Sequence, residues 1–275
     1  MIVDAQIHVW EADRADRPWP LSGAEGRTAS PQREIPLSAA EALREMDAAG
    51  IDRAIIVPPS WEGDRNDVAL QVVTDYPGRF AVMGRIAAGV EQLEELATWR
   101  DQPGMLGARL ILNGGDPRVA AGADHDFWHM AAAVRLPLML APSGNMRLLA
   151  SIARRHPTLP IIIDHMGALV HKKGAEAFSQ IDDVLALGEL SNVAVKATCL
   201  PGYSAEAYPW PDVSPYVERL FHSFGADRLF WGSDLSRFPC PYGLLVEMFR
   251  DGFPWLGGRN QDLVLGEGIR AWLGW

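Results

Sequence analysis

Three residues able to ligate a metal or move a proton stand at the ends of three apolar runs. His8 closes Ile2–Ile7, two residues after Gln6; His165 follows Pro160–Asp164 inside Asp164-His165-Met166-Gly167; Asp234 follows Leu229–Gly232 inside Trp231-Gly232-Ser233-Asp234. Imidazole and carboxylate are common ligands of a catalytic divalent cation, and common general acids and bases. A lone histidine is most often structural, but three such groups at equivalent places point to one shared mouth. Two readings of the trio stay open. In one, His8, His165 and Asp234 hold a single divalent metal, zinc or manganese, with an open coordination position. In the other no metal is bound: Asp234 is the base on a water, and His8, His165 and the Gln6 amide donate hydrogen bonds to a carbonyl oxygen. The second reading gives Gln6 a task, since glutamine is a poor zinc ligand beside neutral imidazole.

Cations recur in the same kind of place. Arg109 lies in Gly107–Leu112, Arg85 near the end of Phe80–Ile86, Lys196 inside Val193–Ala197, and Arg237 three residues after Asp234. A charge in an apolar run needs a partner, either a core carboxylate or an anionic substrate. Arg109 is the leading candidate for a bidentate carboxylate clamp, with Arg85, Arg237 and Lys196 beside it. Trp19, Trp61, Tyr203 and Trp210 are candidates to line a cleft, with Trp61 and Tyr203 the expected substrate contacts. Other groups read as structural: His156 at a helix end, His222 on a helix surface, His171 in a loop, and His125 with His129, whose spacing lacks the intervening glutamate of a zinc helix. Trp255, Trp272 and Trp275 are expected to pack a C-terminal helix against the core.

These residues need a scaffold that brings strand ends together. Eight short runs alternate with helical stretches: the three above, Ala54–Val57, Phe80–Ile86, Gly107–Leu112, Leu136–Ala141 and Val193–Ala197. Short, nearly continuous apolar runs are what a parallel sheet buried on both faces requires. Helices are expected after Ser38, with Ser38 and Glu41 as a capping box and Gly50 as the stop, over 67–76, 93–100, 127–134, 146–156 and 177–187, and from Ser214, with Ser214 as N-cap and Pro215 at the first helical position. The pattern predicts an α/β fold, a (β/α)8 barrel formed as one domain over residues 1–275, with its active site where the strands end. A doubly wound sheet would want a glycine-rich turn after its first strand, and Ile7-His8-Val9-Trp10 has none. Two long connections, Trp10 to Leu37 and Leu200 to Asp212, fall on the same face and read as lids or as solvated loops.

The 275 residues are 48% hydrophobic and 22% charged, enough for a large core, and no run is long and apolar enough to span a membrane. The net charge of −10 disfavours nucleic acid and anionic membranes as partners and leaves a small-molecule substrate, anionic if arginines line the mouth. Met1 leads into Ile2-Val3-Asp4 without a basic and apolar leader, so a cytoplasmic location is expected, with Cys199 and Cys240 as free thiols. Neither cysteine stands in a recognisable motif. No G-x-S-x-G elbow, P-loop or dinucleotide fingerprint occurs.

Four stretches, in order, carry a family resemblance: Asp4-Ala5-Gln6-Ile7-His8-Val9-Trp10, Ile163-Asp164-His165-Met166-Gly167, Val195-Lys196-Ala197-Thr198 and Phe230-Trp231-Gly232-Ser233-Asp234. They resemble the amidohydrolase-related TIM-barrel hydrolases, a group that includes dicarboxylate and sugar lactonases. The resemblance implies a (β/α)8 fold and hydrolysis of an ester, lactone or amide, often with a divalent metal. It also implies His-x-His at the end of the first strand, where this chain has Gln6-Ile7-His8, and strand 4 offers no lysine to bridge two metals. The expected function is therefore hydrolysis of a lactone or related cyclic ester or amide of a small carboxylated compound. A metal-dependent decarboxylase and a non-catalytic binding barrel are the alternatives.

Overall fold

The eight apolar runs form eight parallel strands, paired each with the next in chain order. They are β1 Val3–Ile7, β2 Arg53–Ile56, β3 Phe80–Arg85, β4 Met105–Ile111, β5 Leu138–Ala141, β6 Ile161–Ile163, β7 Val193–Ala197 and β8 Leu229–Trp231. With helices between them they make a (β/α)8 TIM barrel. The computed structural model describes residues 1–20, 31, 33–87, 93–113, 115–237 and 240–275. Part of the Trp10–Leu37 connection thus lies outside the described residues.

Strand starts follow backbone chemistry. β5 and β6 begin after Pro137 and Pro160, which lack an N–H; their carbonyls instead accept from Ala108 and Leu138, each at 2.9 Å. Ser38 caps the helix Ala39–Ala49 by accepting from the Glu41 amide, and Gly50 ends it at φ 70. The helix Ser214–Phe224 starts one residue earlier than expected. Val213 holds the cap position, because its carbonyl already accepts from Tyr216, and Ser214 is the first helical residue.

Alternate strand residues fill the barrel interior: Val3, Ala5, Ile55, Val57, Ala81, Met83, Leu106, Met139, Ile162, Ala194 and Phe230. Ile269 and Leu273 of the helix Gly268–Leu273, with Trp272 and Trp275, close its lower end. Trp255 does not join them; it packs on Phe221 and Phe253 on the flank.

Two bulges interrupt the alternation. The β1–β2 register gains a residue on β1 between Asp4 and Ile7, and the β3–β4 register gains one on β4 between Met105 and Gly107. A bulge turns the following side chains to the other face. Gln6 thereby reaches Lys196 of β7, and Arg109 reaches Asp164 after β6. Gly107 sits at the second bulge, where an added Cβ would lie 2.2 Å from the Pro137 carbonyl oxygen.

Among the described residues no ladder joins β8 to β1. That seam is closed by the Asp234 amide donating to Gln6 O at 2.9 Å, a single bridge between Ile7 and Leu235, and the side chain of Asp4. Asp4 accepts from the Gln6 and Ser233 amides, each at 2.9 Å, and from the Ser233 and Tyr242 hydroxyls.

Candidate active site

Above the apolar interior lies a layer of paired charges. Lys196, fully buried, places Nζ 2.8 Å from Asp164 Oδ1 and donates to Gln6 Oε1 at 2.5 Å. Arg109 Nε donates to Asp164 Oδ2 at 3.1 Å. Burial pushes the Asp164 carboxyl up, but Lys196, Arg109 and His165 outweigh it and hold it at about 2. Burial pulls Lys196 down against the pull of Asp164.

An ammonium only donates, so its contact fixes the Gln6 amide with oxygen toward Lys196. Gln6 Nε2 then faces the mouth and donates to Asp234 Oδ1 at 2.9 Å. His8 meets the same oxygen: its Nδ1 donates to the Val57 carbonyl at 2.7 Å, and its Nε2 lies 2.9 Å from Asp234 Oδ1. A cation at the first-strand position would meet amide hydrogens rather than a lone pair. The donor set around Oδ1 does not suit a metal.

The other side of Asp234 differs. Oδ2 is buried without a hydrogen-bond partner. Arg237 Nε lies 3.2 Å away but is not aimed at it, and Nε too has no partner. Facing this carboxylate are His165, whose Nδ1 is 2.7 Å from the Thr198 hydroxyl, and Cys199. One ligand atom from each of His165, Cys199 and Asp234 lies within 4.8 Å of the other two. That donor set fits one divalent cation. Burial raises Asp234, yet His165, the hydrogen bond from His8 and Arg237 hold it far below the usual carboxylate range. Burial lowers His165 to about 4, against the pull of Asp234 and Asp164. Burial and the Asp234 charge push the Cys199 thiol well above its ordinary value.

All ten expected site residues lie at or beside this mouth, in unequal roles. Arg109 does two things: Nε pairs with Asp164, while its remaining nitrogens carry no hydrogen bond among the described residues. Arg85, on the neighbouring strand, is 3.6 Å from Asp64 through Nε, and its Nε and Nη1 are buried without a hydrogen bond. Burial and the positive Arg109 lower Arg85 to about 10. Trp61 is buried among His8, Trp10 and Trp19, and Tyr203 beside His165, so both wall the mouth rather than line an open cleft. Asp234 has no exposed surface, and His8, His165 and Arg109 are each under a tenth exposed. Asp164, Thr198 and Cys199 were given no role by sequence reasoning; the first two stand inside stretches that carry the family resemblance, beside His165 and Lys196, and Cys199 follows the second of them without a motif of its own. His125 is a helix cap that accepts from the Phe127 amide, and His129 packs edge-on against His156, which is buried.

A family model described as Amidohydrolase matches residues 3–260. An L-fucono-1,5-lactonase from Burkholderia ambifaria is 31% identical, with 98% of this chain and 91% of that protein covered. A 4-sulfomuconolactone hydrolase from Hydrogenophaga intermedia is 29% identical over 70% of this chain, which spans 63% of that protein. Among solved structures, a probable 2-pyrone-4,6-dicarboxylic acid hydrolase from Acinetobacter baumannii, with citric acid bound, superposes with a TM-score of 0.75 at 18% identity, covering 100% of this chain and 99% of that one. A zinc-bound amidohydrolase from Burkholderia multivorans superposes with a TM-score of 0.77 at 20% identity, with the same coverage. These two likenesses establish the fold.

Proposed function

The chain belongs to the amidohydrolase family, and from that premise and the geometry of its mouth we propose that it is a hydrolase opening a lactone of a small carboxylated compound. The observation that carries the proposal is the Asp234 carboxylate at the end of β8. One oxygen is fixed by Gln6 and His8, and the other is buried with Arg237 Nε 3.2 Å away and no aimed hydrogen bond. That second oxygen takes the proton of a water as the water oxygen bonds to the lactone carbonyl carbon. The ring C–O bond then breaks, and the proton passes to the leaving alkoxide. The product is a hydroxy acid, which releases one proton to solvent. The second Gln6 amide N–H is the donor beside the carboxylate available to the carbonyl oxygen, while His8, held by Val57 and Asp234 Oδ1, orients the carboxylate.

A carboxylate held as low as Asp234 is a weak base at rest. An anionic substrate entering beside Arg109 and Arg237 screens those cations and raises its proton affinity, so substrate charge is part of the catalysis. The unpartnered nitrogens of Arg109 and Arg85 are suited to a carboxylate. Both lactone-hydrolysing relatives support ring opening as the reaction, and their names differ in the charge of the compound. A divalent cation, when bound, would polarise the carbonyl and acidify its water; His165 and Asp234 are the residues to hold it, and His8 keeps its hydrogen bond to Oδ1.

Proton release on mixing with a panel of carboxylated and neutral lactones tests the reading. Turnover of a carboxylated lactone, lost in Asp234→Asn, is expected. Failure on every lactone, or equal turnover by the variant, would overturn it.

A further inference from the structure

We infer that Cys199 is a metal ligand, completing with His165 and Asp234 a three-donor site for one thiophilic divalent cation, displaced around the mouth from the position that Gln6 closes. Four observations converge. The three donor atoms lie within 4.8 Å of one another, a spread that small side-chain movements bring to zinc distances. Asp234 Oδ2 is a buried carboxylate oxygen with no aimed hydrogen bond, and its one charged neighbour, Arg237 at 3.2 Å, is the charge a cation would displace. The Thr198 hydroxyl engages His165 Nδ1, leaving Nε2 as the ligating atom, with an outer partner of the kind that orients metal-bound histidines.

The fourth observation is the backbone. His165, Cys199 and Asp234 all sit in the left-handed region, at φ 51, 66 and 60. Histidine and aspartate visit that region more readily than most residues; cysteine has no such preference, and glycine would fit there unstrained. If Cys199 were only a small buried apolar group, glycine would fill its place at lower cost. A strained side chain aimed at a carboxylate and an imidazole marks a functional position.

The charges agree. One thiolate and one carboxylate neutralise a divalent cation, and the thiol proton leaves to solvent as the sulfur–metal bond forms. A sulfur donor favours zinc or cobalt over manganese or magnesium, which narrows the choice left open by the sequence. The cations facing the site are Arg237 and Lys196. Lys196 is committed to Asp164 and Gln6, while Arg237 makes no aimed hydrogen bond to Oδ2 and its side chain is 30% exposed, so it can withdraw toward solvent.

The inference rests on donor atoms and shares Asp234 Oδ2 with the lactonase reading, because a cation on that oxygen takes the place of the water's proton; binding and turnover are therefore read separately. The test is titration of the chelator-stripped protein with cobalt(II), followed by absorption. One equivalent is expected to bind with a sulfur-to-cobalt charge-transfer band in the near ultraviolet. Cys199→Ser should lose the band and bind zinc at least about tenfold more weakly, since loss of even an outer partner costs that much. Cys199→Gly should lose the band while melting no lower than the parent, which separates ligand loss from misfolding. Cys240→Ser should keep it. Cobalt bound without the band, a band that survives in Cys199→Ser, or no binding by the parent would each overturn the assignment. Lactone opening is read separately: a band without turnover leaves the ligand and removes the lactonase, and turnover without a band does the reverse.

Discussion

Gln6 shows how one side chain can be read only through its neighbours. Its residue type suggested an oxyanion donor, and the Lys196 ammonium sets which end of the amide faces the mouth. His8, His165 and Asp234 were legible because they end predicted strands. Cys199 was not: it follows β7 by two residues with no motif around it, and only the fold aims its sulfur. Asp164 was passed over for its neighbour, yet it is the anion that makes Arg109 and Lys196 tolerable inside a barrel. Two predictions belong here. Asp234→Asn should lower kcat by roughly a hundred- to ten-thousand-fold, the range for removing a general base, with the melting temperature retained. Arg85→Met should raise KM for a carboxylated lactone about tenfold or more, on the ~1.5–3 kcal/mol of a charged hydrogen bond, and should raise the melting temperature because a buried guanidinium without a hydrogen bond on Nε and Nη1 is removed. Unchanged KM with unchanged Tm would dismiss the carboxylate role of Arg85.

The strands were legible as apolar runs, and all eight formed within a few residues of their expected bounds. What periodicity could not supply was facing. Strict alternation puts Gln6 and Arg109 on the faces opposite to those they occupy, and the extra residues in β1 and β4 reverse this. A bulge leaves little mark in a sequence except glycine at a crowded point, and Gly107 is such a mark. Gly107→Ala would set a Cβ against the Pro137 carbonyl oxygen and Met83 Cε, at 2.2 and 2.8 Å. The expected loss is about 1–3 kcal/mol in denaturant unfolding, with weakened binding of carboxylated lactones as Arg109 shifts. An alanine variant as stable as the parent would show that the strand relaxes without needing the bulge.

At the scale of the molecule, two buried groups oppose each other in acid. Burial raises Asp4 to about 6, so the folded chain keeps a proton that the unfolded chain loses, and this contribution to stability fades as pH rises from about 3.8 to about 6. Burial lowers His165 to about 4, so the unfolded chain takes up a proton first, and this contribution fades as pH falls from about 6.5 to about 4. Melting of the chelated parent should therefore change little between pH 4 and 6. Asp4→Asn should melt lower toward pH 4, and His165→Asn higher; parallel slopes in all three would refute the opposition. The architecture itself was legible because eight strands and their intervening helices admit few other closures. The seam was not, because it rests on Asp4 and on single bonds rather than on a strand ladder. That seam also decides when the protein becomes competent. The contacts of Gln6 with Asp234 and of Asp4 with Ser233 join residues 228 and 229 apart in sequence, and loop closure makes such contacts among the last to form. A refolding chain should regain helix signal and tryptophan burial before it regains turnover. Activity then reports the final joining of the first strand to the last, and an intermediate open at that edge is structured but catalytically silent.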